Sequence, residues 1–456
     1  MRDKIEEALK QSKADYTEIR IEDKETCRVA FRGRDLETAN ANIDKGGMAR
    51  CLIRNKGWGV ATFNDLDDLV AMVDQAYQCA RVGTIPEPIE LTPAEPVECV
   101  TTAMLSRDFR DVPLSVKKAL AEHYNQILLG HDDRIVDTQS IYSDVFTHLT
   151  LANSEGTYIE QDKPSVVIGA FATARDGNNI QQAHEVYSST QGFEYVLDKD
   201  VLVRKAAIRA VELLNARSVQ AGQYPVVIDQ MLAGVFIHEA FGHLSEADFV
   251  YENPKAREMM TLGRRFGQGI LNVYDDGSIR NLRGTTLYDD EGTPARRNWL
   301  IRDGVLVGRL HSRQTAAKMG ESASGNARAV GYRFAAIVRM TNTAIDNGTA
   351  TFEDMIKDIK LGIYACDAYG GETQLENFSF SSGYAYMIHD GRIAEMVKDV
   401  SLAGNLFTTL GNIDLIGNDF KWLNTGGGCG KAGQFPLPVG MGAPHIRIQD
   451  VIIGGH

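Results

Sequence analysis

Tyr224-Pro-Val-Val-Ile-Asp-Gln-Met-Leu-Ala-Gly-Val-Phe-Ile-His-Glu-Ala-Phe-Gly-His243 carries the decisive pattern in this chain of 456 residues. Tyr224 to Ile228 is a short β-branched apolar run that reads as a strand. Asp229 is placed to cap a helix opening at Gln230, and that helix runs into His238-Glu239-Ala240-Phe241-Gly242-His243. The hexapeptide puts a pair of metal-ligating imidazoles and a candidate general base in one segment. A zinc peptidase needs neutral imidazoles on the metal and a carboxylate beside the metal's water. The commoner H-E-x-x-H helix spaces its histidines at i and i+4, about 40° apart around the axis. Here the spacing is i and i+5, which sets the side chains about 140° apart at roughly 3.6 residues per turn. A single π turn, with its i→i+5 hydrogen bond, would realign them, and Gly242 lowers the cost of that distortion. The alternative is that His238 and His243 are ordinary helix residues, and a third ligand would decide between the two.

Of the six cysteines, Cys429 stands apart. It lies in Asn424-Thr-Gly-Gly-Gly-Cys-Gly-Lys431, where flanking glycines let the backbone turn tightly beside another group. It is a candidate third ligand, and a reactive thiol activated by Lys431 and backbone amides is the alternative. Glu246 and Asp248, just beyond the second histidine, are the reserve candidates for that position. The acidic Asp289-Asp290-Glu291 run reads as a solvated turn into Gly292 and Pro294, with substrate contact, ligand orientation or a second cation as alternatives. His311 and His389 read as satisfied structural histidines. Gly325 to Arg328 offers amides and a guanidinium that a peptide carboxylate or oxyanion would accept.

The sequence is identified as resembling the TldD-type members of the TldD/PmbA family of zinc metallopeptidases. The H-E-x-x-x-H hexapeptide matches at His238 to His243. The C-terminal stretch matches as Cys429-Gly-Lys-Ala-Gly-Gln434, Pro438-Val-Gly-Met-Gly442 and Val451-Ile-Ile-Gly-Gly455. Between them lie Asp289-Asp-Glu-Gly-Thr-Pro294, Leu300 to Gly304, Arg339-Met-Thr-Asn-Thr343, and Gly411-Asn-Ile-Asp414 with Gly417-Asn-Asp419. Gly46-Gly-Met-Ala-Arg50 and Gly57-Trp-Gly-Val-Ala61 extend the likeness into the first half. The resemblance implies one zinc ion per chain, held by His238, His243 and Cys429, with Glu239 as the base that takes a proton from the water. It implies peptides or unfolded segments as substrates, and a two-fold homodimer or a heteromer with a metal-free paralogue. The alternative it leaves is a non-catalytic binding or regulatory subunit, in keeping with the family's older description as a modulator of DNA gyrase.

Composition bounds these readings. No run of about 18 apolar residues is present, which argues against a membrane span. The N-terminus, Met1-Arg-Asp-Lys-Ile-Glu-Glu-Ala-Leu-Lys10, lacks the apolar core of a secretory signal. Scattered cysteines do not form a disulfide framework. A cytoplasmic location is expected. A net charge of -13 disfavours a nucleic-acid partner.

The chain is longer than one core usually supports. The expected fold is α+β in two lobes, residues 1–220 and 221–456, with a further split of the first near 84–112. Strands are expected at Tyr16 to Ile21, Arg28 to Arg32, Gly46 to Ile53, Gly57 to Thr62, Ile135 to Leu151 and Val166 to Thr173, and helices at Leu66 to Arg81, Leu114 to Leu129 and Lys199 to Arg217. The second lobe reads as β-rich around the metal helix. A capping box at Thr351 and Asp354 predicts a helix to about Ala365, and Asp390-Gly391 joins a hairpin between Ser382 to His389 and Arg392 to Val397.

Overall fold

In the computed structural model, which describes residues 1–454, the first half folds around strands that pair antiparallel except for one short parallel edge strand. These are β1 (Tyr16–Arg32), β2 (Asp35–Ile53), β3 (Gly57–Phe63), β4 (Glu98–Thr101), β5 (Ile135–Asn153), β6 (Tyr158–Asp176) and β7 (Asn179–Ser189). They form one sheet in the order β3-β2-β1-β5-β6-β4, with β7 also paired to β6. Burial alternates along β5, which marks a sheet with one covered face. Helix α3 (Leu114–Leu129) and helix α4 (Asp200–Asn215) cover part of it, and α1 (Arg2–Lys10) and α2 (Leu69–Arg81) lie at the β1–β3 end. The two strands expected at Tyr16 to Ile21 and Arg28 to Arg32 are one, because β2 pairs with β1 along its whole length and β5 pairs with it from Glu18 to Arg32.

The second half is richer in strands. An eight-stranded sheet runs in the order Leu361–Gln374, Gly222–Ile228, Ile446–Gly454, Ser401–Asn405, Asn377–His389, Arg392–Lys398, Arg217–Ser218, and Ile413–Ile416 adds to Ile446–Gly454. Leu361–Gln374 also pairs with Asn377–His389, so part of this sheet closes into a ring. A six-stranded sheet, in the order Val305–Leu306, Arg297–Arg302, Val273–Asp276, Asn342–Ile345, Gly440–Ala443, Lys421–Leu423, packs beside it. The architecture is α+β with mostly antiparallel sheets and a β-rich second half.

Two expectations are corrected. The helix capped by Thr351 and Asp354 stops at Ile356, and Leu361–Gln374 is a strand. A Cβ on Gly362 would lie 2.7 Å from the Pro225 carbonyl oxygen, an approach that this parallel pairing makes and only glycine permits. The Asp289-Asp290-Glu291 turn is buried, not solvated. Asp289 accepts backbone N–H groups of Glu291, Thr293 and Ala327. Asp290 meets Arg20 at 3.5 Å and Lys163 at 3.2 Å, both from the first sheet. Glu291 accepts the Arg313 N–H at 2.7 Å. The run therefore ties the two halves together.

Candidate metal centre

Gly222–Ile228 is an interior strand, flanked by Leu361–Gln374 and Ile446–Gly454. Its end is fixed by Asp229, whose Oδ1 accepts the Leu232 N–H at 2.9 Å and starts helix α5 (Gln230–Ile237). Leu232, Ala233, Phe236 and Ile237 bury α5 in the largest apolar cluster of the second half. The next five residues, His238–Gly242, widen into a π turn in which the His243 N–H donates to the His238 carbonyl. That i→i+5 bond brings the two imidazoles back to one side, with ring centroids 5.4 Å apart at 81°. Gly242 keeps ordinary helical dihedrals, φ -57 and ψ -51. Its role is room: a Cβ there would lie 2.0 Å from the sulfur of buried Met340.

Cys429 arrives from the other end of the sequence on a short strand, Cys429–Lys431, paired with Gln434–Leu437. Arg339, fully buried, donates from Nη2 to the Cys429 carbonyl at 2.7 Å. The cysteine sulfur lies 3.2 Å from Nε2 of His243. Ligand atoms of His238, His243 and Cys429 all fall within 4.8 Å of one another. Glu239 stands beside them, with Oε2 at 3.8 Å from His243 Nε2 and a third of its side chain exposed.

The donor set fits zinc. Zinc takes nitrogen and sulfur ligands, and catalytic sites use three protein ligands with one position left for water. Tetrahedral bonds of roughly 2.3 Å to sulfur and 2.0–2.1 Å to nitrogen put those two donors about 3.5 Å apart. The Nδ1 of His238 is buried without a hydrogen-bond partner, an orphan that coordination at this ring would explain. Burial, with His243 and Arg339 nearby, holds the His238 imidazole well below its ordinary pKa. Burial also lowers His243, but hydrogen bonds to Cys429 and Glu246 outweigh it and leave the group raised to about 10. Burial pushes the Glu239 carboxyl up, with His243 opposing.

Other sequence candidates sit elsewhere or act differently. Glu246 does not join the three donors; its Oε2 accepts from His243 Nδ1 at 3.0 Å. Asp248 accepts from Lys431 at 2.6 Å. The Lys431 ammonium is thus directed at carboxylates. His311 is buried between Thr315 and Glu321, and His389 faces Glu395 at an exposed edge. Arg328 gives its guanidinium to the Met340 and Pro438 carbonyls, so it is not free for a peptide. Sequence reasoning missed Arg339 and Met340 at the site, although both fall in a motif quoted above.

Family models match nearly all of this architecture. The PmbA/TldA metallopeptidase C-terminal domain matches residues 221–455, the central domain 107–214 and domain 1 residues 17–80. The chain belongs to the PmbA/TldD family and is a metallopeptidase. A metalloprotease of Synechocystis is 45% identical over 446 residues, covering 98% of this chain and 96% of that protein. A protein named zinc metalloprotease TldD homolog, from Saccharolobus solfataricus, is 27% identical over 451 residues, 97% of each chain. Among solved structures, TldE from Thermococcus kodakarensis aligns with a TM-score of 0.79 at 17% identity, over 100% of both chains. A putative modulator of DNA gyrase from Thermotoga maritima aligns at 0.78 and 21% identity, over 99% of both. These last two likenesses speak to fold alone.

Proposed function

We propose that this metallopeptidase is zinc-dependent, that His238, His243 and Cys429 hold one ion, and that Glu239 is its general base. The observation that carries this is the convergence of two imidazoles and a thiol within 4.8 Å, with a part-exposed carboxylate beside them. When bound, zinc would polarise the peptide carbonyl and lower the pKa of water toward neutrality. Glu239 accepts the proton of the attacking water as its oxygen bonds to the carbonyl carbon. The same carboxyl then returns that proton to the amine nitrogen as the C–N bond breaks. Buried Glu246 fixes the His243 ring from behind, so Nε2 of that ring faces the Cys429 sulfur.

Extended or unfolded peptides are the substrate class that suits these surroundings. Lys421–Leu423 is an outer strand of the six-stranded sheet, and its chain runs directly through Gly426-Gly-Gly428 to Cys429. A strand edge next to the site supports binding by main-chain hydrogen bonds, with loose sequence preference.

Glu239→Gln tests the assignment. The variant keeps size and shape but cannot take a proton at neutral pH. We expect stoichiometric zinc by metal analysis, with peptide turnover reduced on the order of 10²–10⁴. Chelator treatment of the wild type should abolish cleavage of casein or an unfolded peptide. If Glu239→Gln loses its zinc, the residue is a ligand; if it keeps full activity, the proton goes elsewhere. A wild type with neither metal nor cleavage would point to a binding subunit.

A further inference from the structure

Lys431 has three ammonium protons and three protein acceptors. Its Nζ lies 3.1 Å from Glu246 Oε2, 2.6 Å from Asp248 Oδ1 and 2.9 Å from the Val338 carbonyl. That inventory leaves no proton for a substrate or a thiolate. Its position on the chain gives the arrangement a purpose. Cys429 and Lys431 sit two residues apart on one short hairpin, across a break in its register, and both side chains reach the segment that carries His243. The thiol reaches His243 and the ammonium reaches the two carboxylates that follow His243 in sequence. This hairpin has only two strands and is entered through three consecutive glycines, so it has little rigidity of its own.

Glu246 is the hinge of the contact. It is 1% exposed, and its Oε2 serves both His243 Nδ1 and Lys431, while Oε1 is buried with no partner. One oxygen thus sets the His243 ring, and Lys431 is the cation that compensates its charge. A hydrogen bond at Nδ1 leaves Nε2 as the coordinating atom, on the side where the Cys429 sulfur and Glu239 lie.

We propose that Lys431 is a latch: it clamps the Cys429 hairpin to the segment bearing His243 and, through Glu246, fixes the ring that coordinates. Lys431 and Glu246 are then positioning residues, and neither contacts substrate. The proposal rests on the ligand set proposed above.

The test is zinc affinity, measured by back-titrating chelator-stripped protein against a chromophoric chelator, together with the absorption of the cobalt-substituted protein. Circular dichroism establishes that each variant is folded. Lys431→Met keeps the stem and removes the charge, and Glu246→Gln keeps the shape and weakens the acceptor. Each should weaken zinc binding about 10–100-fold, the range for lost partners of a metal ligand. The double variant should lose less than the product of the two, since both act through one contact. Lys431→Met should also weaken the sulfur-to-cobalt charge-transfer band, which Glu246→Gln should retain. Should Lys431→Met fail to fold, Asp248→Asn replaces it with the same readouts, because it loosens the shortest latch contact and leaves the Lys431–Glu246 pair. Wild-type affinity within two-fold in the folded latch variant overturns the latch alone. A Cys429→Ser protein that binds zinc like wild type, or a wild type that takes up none, overturns the ligand set and the latch with it.

Discussion

Residues legible from sequence were those whose chemistry is rare and local. Two histidines, a glutamate and a glycine-flanked cysteine were singled out by type and spacing, and the structure brings the histidines and the cysteine within 4.8 Å. The residues that hold them there were not legible as such. Arg339, Met340 and Lys431 act through contacts across the fold, and no local pattern marks a guanidinium destined for the carbonyl of Cys429. Gly242 illustrates the difference. Its presence suggested a relaxed backbone, yet the need is for space against Met340. Gly242→Ala should therefore cost roughly 1–3 kcal/mol by overpacking, read as a lowered denaturation midpoint. Combined with Met340→Ala, the total loss should be smaller than the sum of the two single losses, because the clash has one identified partner. A Gly242→Ala protein as stable as wild type would mean that Met340 moves aside freely.

At the scale of elements, boundaries followed the capping chemistry where tertiary pairing agreed with it. Asp229 predicted the start of α5, and its carboxylate caps the Leu232 N–H there. The Thr351 cap is equally real, yet the helix it opens is short because Leu361–Gln374 finds two strand partners. One of these partners is the next strand in the chain, but the other, Gly222–Ile228, is far away in sequence and invisible to a local reading. Asp229 has a second consequence. Burial, with Asp367 adding to it, raises its carboxyl to about 6 even though the Leu232 and Asp367 N–H groups oppose the shift. A folded-state value above the ordinary carboxylate range means that ionising Asp229 opposes folding. Its contribution is full below about pH 4 and is lost as pH rises through about 6. Asp229→Asn keeps the cap and removes the charge, so its stability relative to wild type should improve between pH 4 and 7. Asp229→Ala should lose roughly 0.5–2 kcal/mol with the cap. Denaturant unfolding of the three proteins at both pH values checks this, and an Asp229→Asn difference that does not change with pH would refute it.

Across the whole molecule, α+β organisation was legible from strand alternation and helix periodicity, whereas the joint between the halves was not. Asp289, Asp290 and Glu291 read as a solvated turn because acidic residues before glycine and proline usually are one. Asp290 is buried against two cations of the first sheet, Lys163 and Arg20, and Arg20 also donates to the Gly331 and Phe334 carbonyls. Arg20→Met should cost about 3–5 kcal/mol, because it takes the paired cation from buried Glu22 and leaves buried Asp290 with Lys163 alone. Guanidinium unfolding that shifts by under about 1 kcal/mol would show the joint to be held by other contacts.

The largest scale concerns protection of the site. Glu239 is part-exposed, and a peptidase that accepts unfolded chains must not reach segments of folded neighbours. We infer that a second copy of the chain encloses the site, admitting only extended peptide. A closed two-fold pair does this with one self-complementary surface and leaves no open end on which to polymerise. The chain expressed alone should therefore give twice its own mass by light scattering across the micromolar range. The same preparation should cleave an unfolded peptide while sparing a stably folded protein that carries the same sequence. A monomer that makes that distinction would mean that the chain shields its site by itself, and a dimer that cleaves both would separate assembly from protection.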